Sequence, residues 1–231
     1  MKYPKVICHM LTSMNGKIDG DYMSNKECTG ASKTYSQIRT EYDAQAVVYG
    51  QVTMRVGYAS GVWFSSNTVI LNDHREDHIA LHTSYYIVSL DPMGTLAFDS
   101  NFIERKGRSS AHIIQVVSNS VSDAYLSYLR DKNISYIISE SEKIDCCVLL
   151  EKLRTYFNIE KVMIAGGGLC NDSFLQQDLI DEISLVIAPL SESEKSATCF
   201  EAMDHHSMPK SFHLADVKRL DGDAVWLVYK K

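Results

Sequence analysis

Few features are present that would divide this chain into separable parts. It has only four prolines and no Ser/Gly-rich tract, so no flexible linker is marked. Internal repeats and low-complexity segments are missing too, which excludes solenoids and fibrous arrays. No apolar run approaches the roughly 20 residues needed to span a bilayer. The short apolar stretch after Met1-Lys2-Tyr3-Pro4-Lys5 is broken by His9 and does not make a signal segment. A cytoplasmic protein with no membrane partner is therefore expected. Positive charge is not in excess: 23 Lys+Arg stand against 29 Asp+Glu, a formal net charge of −6. That balance excludes a general footprint for nucleic acid, while leaving room for a local basic patch sized for one phosphate group. The six cysteines (Cys8, Cys28, Cys146, Cys147, Cys170 and Cys199) include no Cys-x-x-Cys pair and read as reduced thiols. No metal is expected. His74 and His78, beside Asp73 and Asp77, lack a third ligand at a recognisable spacing, and His205-His206 reads as a surface turn.

What remains is an ordinary globular composition. With 45% hydrophobic residues over 231 positions, a sizeable core is allowed, and residues 1–231 read as a single domain. Strand-like and helix-like stretches alternate. Val6–Leu11 is apolar and leads to an Asn15-Gly16 turn. Ser32–Tyr42 carries Tyr35, Ile38 and Tyr42 at helical spacing. Ala46–Tyr49 is a continuous apolar run stopped by Gly50, as expected of a strand buried on both faces. Thr68–Leu71, Tyr85–Ser89 and Leu96–Phe98 read as further strands. In the second half, His112–Val117 is a strand, and Ser122 caps a helix through Arg130 with Val121 and Leu126 placed to staple it. Ile134–Ser139 is a strand, followed by a helix whose face carries Leu149, Leu150, Leu153 and Phe157. Lys161–Ala165 runs into three glycines and a short helix through Gln177, and Glu182–Pro189 is again extended. Phe212–Leu220 and Ala224–Tyr229 flank Asp221-Gly222-Asp223 as a terminal hairpin. The pattern predicts an α/β fold: a mostly parallel central sheet flanked by helices, with an antiparallel C-terminal hairpin.

In open α/β sheets, ligands bind beyond the carboxyl ends of the strands. Two glycine sites fall there. In Gly50-Gln51-Val52-Thr53-Met54-Arg55 the glycine permits close backbone approach, Thr53 offers a hydroxyl and Arg55 a charged fork. In Ala165-Gly166-Gly167-Gly168-Leu169, backbone N–H groups at a strand-to-helix junction are bare for a pyrophosphate. Either segment reads equally as a tight turn. The triple glycine is not the dinucleotide fingerprint, since position 171 is Asn171, and it lacks the lysine of a P-loop.

Four segments in order carry a resemblance. Val6–Ile18 resembles the opening strand and Ser-Leu-Asp-Gly-Lys-Ile loop of the riboflavin-biosynthesis pyrimidine reductases (the RibD C-terminal domain), which share the dihydrofolate reductase-like fold. Cys28-Thr29-Gly30 and Asp43–Thr53 are similar to the family's Thr-Gly, helix and Asp-Ala…Gly-x-x-Thr run. Met163–Pro189, with Leu179-Ile180-Asp181-Glu182 and Ala188-Pro189 in register, resembles its Gly-Gly…Ala-Pro stretch. Asp216–Tyr229 is similar to its closing hairpin.

The resemblance implies an NADPH-dependent reductase, 5-amino-6-(5-phosphoribosylamino)uracil reductase, turning the ribosyl side chain of a phosphoribosylaminopyrimidine into ribityl. It also suggests a homodimer. It assigns Gly50, Thr53, Ser118 and Gly166, Gly167, Gly168 and Leu169 to the cofactor's phosphates and adenosine end, with Arg55 a candidate for the 2′-phosphate. Leu11 and Thr12 would border the nicotinamide. Thr53 and Ser118 read alternatively as helix caps, and Arg39, a candidate for the substrate's ribose phosphate, as a solvated helix residue. Three positions depart from the family's pattern: His9 stands where many members carry lysine, Asn15 replaces the loop aspartate, and Ala165 replaces the acid before the glycines. His9 and Asn15 are thus candidate substrate contacts, His9 also a candidate proton donor; the alternative is a histidine hydrogen-bonded inside the core. The Asp-x-Pro-x-Leu-Thr-x-Arg segment is missing. Two other readings stay open: another NADPH reductase of this fold acting on a pterin, imine or carbonyl, and a nucleotide-binding module without turnover.

Overall fold

The computed structural model describes residues 3–64, 75–202 and 208–231. In chain order the elements are β1 (Lys5–Thr12), α1 (Thr29–Glu41), β2 (Ala46–Gly50), α2 (Gln51–Gly57), β3 (Gly61–Val62), β4 (Tyr86–Leu90), β5 (Leu96–Ala97), β6 (Phe102–Ile103), β7 (Ala111–Val117), α3 (Asp123–Asp131), β8 (Ser135–Ile138), α4 (Cys146–Phe157), β9 (Lys161–Ile164), α5 (Gly168–Gln176), β10 (Glu182–Ile187), β11 (His213–Arg219) and β12 (Val225–Lys230). The expected strand at Thr68–Leu71 and the residues His74, His205 and His206 lie outside the described residues. The fold is mixed α/β with mostly parallel strands and antiparallel strands at the C-terminus, as the residue pattern predicts. Chain contacts separate two units: Gln45–Glu160 with the first few residues, and Lys5–Ala44 with Lys161–Lys231.

In the β2 unit, β2, β4, β7 and β8 pair in parallel, and β6 adds antiparallel to β7. Parallel neighbours need a crossover connection, and strands covered on both faces are predominantly apolar, here interrupted by Ser89, His112 and Gln115. Every residue of β4 and of β7 is buried. Helix α3 is capped as its sequence predicts: Ser122 accepts from the Tyr125 N–H at 3.2 Å, and Val121 and Leu126 are buried. Helix α4 begins at Asp145, whose carboxylate accepts from Cys147 N and Val148 N. The edge of β8 is covered, because His78 bridges Tyr136 and Asp77 accepts from Ile138 N at 2.7 Å. The two-residue strands β3 and β6 are too short to show an alternation, so nothing in the sequence marks them.

A buried carboxylate organises the end of β4. Asp91 has no exposed surface and accepts from Thr95 N (2.6 Å), Leu96 N (2.9 Å), Gln115 Nε2 (3.0 Å), Thr95 Oγ1 and Gln51 Nε2 (both 3.1 Å). The sequence Asp91-Pro92-Met93-Gly94 marks a turn here, but nothing local in it marks the cluster of donors.

The β1 unit is ordered β11-β12-β10-β1-β9, with β1 parallel to both β9 and β10. β12 runs antiparallel to β10 and β11. Helix α1 packs on this sheet through a core of Leu11, Cys28, Ala31, Ile38, Val186 and Ala224, with Tyr22 closing one end. It begins at Thr29, three residues before the amphipathic pattern shows. Asn25 first caps a 3-10 turn, Lys26–Cys28, by accepting from Glu27 N. Gly30 lies against the Asp221 carbonyl of the C-terminal hairpin turn, an approach that suits a residue without a side chain.

Removing the Asp91 carboxylate should leave buried donors unpaired. We expect Asp91→Ala to lower stability by about 3 kcal/mol, read as a reduced urea midpoint at unchanged m-value. Asp123→Ala, which breaks a partly exposed pair with Arg75, should cost less than about 1 kcal/mol. Equal effects would show that Asp91 does not organise this turn.

Candidate functional site

In the β1 unit, the carboxyl ends of β9, β1 and β10 lie side by side, the position where open sheets bind ligands. Strand β1 ends at Thr12, nearly fully buried, whose carbonyl accepts from Ala188 N at 2.8 Å. The chain then turns: Ser13 N donates to the Lys17 carbonyl at 2.9 Å, and Gly16 takes a φ of +78° that favours glycine. Strand β9 ends at Ile164 and leads into Ala165 and Gly166, the latter at φ +109°, and the Gly166–Gly167 peptide is cis. Gly167 is the N-cap of α5 and supplies no side-chain cap. The positive end of that helix is therefore left for another acceptor, the arrangement that suits an anion. Leu169, in the first turn, is 46% exposed.

One segment holds these loops together. Met14 N donates to the Leu190 carbonyl, Ile18 N to Ala197, Cys199 N to Gly16 and Glu201 N to Gly168. Asn15 is a clamp within it. Its amide donates to the Glu192 carbonyl at 2.7 Å, and its Oδ1 accepts from Glu192 N at 3.0 Å and Ser13 Oγ at 2.7 Å. Asn171 on α5 donates to the Cys199 carbonyl at 2.7 Å. A Cβ on Gly168 would collide with the Thr198 carbonyl, so this third glycine is required by packing. The Glu192 carboxylate accepts from Glu194 N and Tyr22 N, and those bonds hold its pKa below the usual carboxylate range. Glu192 sits in a polar Ser-Glu-Ser-Glu run that looks solvated, so no sequence signal identifies it.

His9 is in the core. It has no exposed surface, and its ring stacks on Tyr35 at 4.4 Å. Nε2 lies 3.0 Å from the Tyr35 carbonyl, which only accepts, so Nε2 carries the proton. Nδ1 then accepts from Ser184 Oγ at 2.9 Å, and Ser184 Oγ in turn accepts from Trp226 Nε1 at 2.8 Å. The network fits the neutral ring, and burial, the larger cause, lowers the pKa to about 4. This geometry matches a core histidine and not a cleft-facing base. Strand alternation alone does not distinguish the two, because helix α1 covers that face of the strand. Arg39, on the same helix, is also buried and not solvated, and Leu11 belongs to the core beneath Tyr22.

In the β2 unit, Gly50 ends β2 and is the N-cap of α2, again without a side-chain cap. Thr53 is half-buried in the first turn of α2, and Arg55 is exposed in the last. Gln51, unremarked in the sequence, ties the helix to the β4 turn by donating to Thr95 Oγ1 at 2.7 Å and to Asp91. Ser118 is fully buried and closes its own turn, its hydroxyl 2.8 Å from Ser120 Oγ and accepting from Ser120 N. That places it as a turn-former.

A histidine buried neutral makes stability pH-dependent. Its pKa is lowered on folding, so the unfolded chain binds more protons between about pH 6.5 and 4. The stabilisation is complete above 6.5 and is lost as pH falls toward 4, up to about 3 kcal/mol. We expect His9→Gln to be destabilised at pH 7 and to lose this part of the acid slope in urea titrations, with activity falling only as the folded fraction falls. Normal stability with turnover reduced ten-fold would instead place His9 against substrate.

The architecture matches known structures. A pyrimidine reductase-like protein from Corynebacterium diphtheriae aligns over 98% of this chain and 91% of its own, at 17% identity and a TM-score of 0.72. The riboflavin biosynthesis reductase Rib7 of Saccharomyces aligns over 100% and 90%, at 16% and 0.63. A diaminohydroxyphosphoribosylaminopyrimidine deaminase/5-amino-6-(5-phosphoribosylamino)uracil reductase from Thermotoga maritima aligns at 17% and 0.64; the match covers 99% of this chain and 57% of that larger one. At these identities the likeness is one of fold. No curated protein sequence matches the chain. The model of the RibD C-terminal domain, however, matches residues 4–223, across both units. On that match, this chain belongs to the RibD C-terminal domain family.

Proposed function

We propose that this chain is an NADPH-dependent reductase of a phosphoribosylaminopyrimidine, reducing its ribosyl side chain to ribityl as the 5-amino-6-(5-phosphoribosylamino)uracil reductases do. The observation that carries the proposal is the uncapped N-terminus of α5 behind the glycines, in a chain of this family. The bound cofactor supplies the hydride. The chain's own residues supply binding and orientation. In the β1 unit, the backbone of Gly166–Leu169 would hold phosphate oxygens at the helix dipole, and Thr12 would border the nicotinamide. In the β2 unit, Gly50 and Thr53 offer a second uncapped helix start and a hydroxyl, and Arg55 offers an exposed guanidinium.

A second reading is favoured by one observation. Asn15 and His9, two of the departures from the family's pattern, both spend their side chains inside the protein. A reductase of this fold with a different imine or carbonyl substrate would need neither. Turnover with the phosphoribosylaminopyrimidine, followed by NADPH oxidation, decides between the two.

Cofactor binding is tested in each unit separately. Aspartate suits an N-cap, so Gly167→Asp should fold, while its carboxylate opposes a phosphate at the start of α5. We expect NADPH affinity to fall at least about 30-fold, roughly 2 kcal/mol, in a fluorescence titration. Unchanged affinity would reject the glycine-loop assignment. For Arg55→Ala we expect weaker NADPH binding with NADH binding preserved, since only NADPH presents a 2′-phosphate. Equal losses would remove Arg55 from that role.

A further inference from the structure

In the β2 unit, the loop between β6 and β7 reads Glu104-Arg105-Lys106-Gly107-Arg108, three cations against one carboxylate in a chain of net charge −6. The loop is a closed turn. Arg108 N donates to the Arg105 carbonyl at 3.0 Å, and Gly107 takes a φ of +77° that few other residues adopt. The turn brings both arginines to a single ring. The Arg105 guanidinium lies 4.9 Å from the centroid of Tyr58, and Arg108 Nη1 donates to the Tyr58 hydroxyl at 3.4 Å. Tyr58 is itself fixed: it stacks on Tyr49 at 4.9 Å and its hydroxyl donates to the Tyr49 hydroxyl at 2.9 Å. Arg55 stands one helical turn earlier on α2, on the side of the helix that leads to Tyr58.

Elsewhere, arginines meet carboxylates: Arg75 with Asp123, Arg154 with Glu160, Arg219 with Asp223. Among the described residues, Arg55, Arg105 and Arg108 have no carboxylate within ion-pair distance, and Glu104 pairs with none of them. Two guanidinium groups gathered at one tyrosine repel each other, and among the described residues no carboxylate pairs with either. Their outward N–H forks present donors in the geometry that planar and tetrahedral oxyanions accept. We propose that the Arg105–Arg108 turn and Tyr58 form an anion site for the phosphate or diphosphate group of a small molecule. A cluster of this size in a chain of net charge −6 suits one such group and not a polyanion. Arg105, Arg108 and Tyr58 are not used by the cofactor proposal, and Arg55, which borders them on α2, is the residue where the two readings meet.

The test is calorimetric titration of the full chain with inorganic pyrophosphate at low ionic strength, with malonate as a dicarboxylate control. It is repeated on Gly167→Asp, which removes the glycine-loop contribution, and on Gly167→Asp combined with Arg105→Ala/Arg108→Ala. Both arginines are exposed, so the fold should be kept, as a thermal melt verifies. The proposal expects saturable pyrophosphate binding in Gly167→Asp, at least ten-fold weaker in the combined variant and weakened by salt. Absence of saturable binding in Gly167→Asp, equal affinity with and without the two arginines, or malonate binding as tight as pyrophosphate would each overturn it.

Discussion

The organisation of the β1 unit depends on where the polar backbone goes beyond the ends of its parallel strands. Inside the sheet, N–H and C=O groups pair with neighbouring strands, but past Thr12, Ile164 and Ile187 no ladder remains to satisfy them. The segment from Leu190 to Glu201 supplies those partners. It receives the turn after β1 through Met14, Asn15 and Ile18, and it receives the start of α5 through Gly168 and Asn171. The glycine loop is thus placed by a stretch of chain that has no regular structure of its own. The conformation of this loop is set by hydrogen bonds to a distant part of the sequence.

That dependence explains which features could be read from residues alone. The continuous apolar run Ala46–Tyr49, stopped by Gly50, identifies a short strand covered on both faces, and the largely apolar His112–Val117 reads the same way. The Ser122 cap and the apolar face of α4 are local, and they fold as their spacing predicts. Glu192, Asn171 and Gln51 were illegible, because each is defined by a partner far away in sequence. A glutamate among serines looks like solvent-facing loop until Tyr22 is seen to donate to it.

The departures from the family's pattern are also clearer with packing in view. A histidine on an apolar strand invites a functional reading because a polar group in a core needs an explanation. The explanation at position 9 is the Tyr35 carbonyl, Ser184 and Trp226, contributed by a helix and two strands. Asn15 likewise completes a pair of hydrogen bonds with the backbone of Glu192 that an aspartate could not make, since only an amide both donates and accepts. Both substitutions are accounted for by the protein's interior.

The absent side chain at Gly168 has a consequence for motion. Because the Thr198 carbonyl occupies the space a Cβ would take, and Glu201 N bonds the Gly168 carbonyl, the first turn of α5 is seated directly on the Thr198–Glu201 backbone. The same backbone also holds Gly16 through Cys199 N. Local opening of the glycine loop must therefore carry three stretches of chain together. Their amides form one cooperative opening unit, with a shared exchange free energy, and not three independently fraying loops.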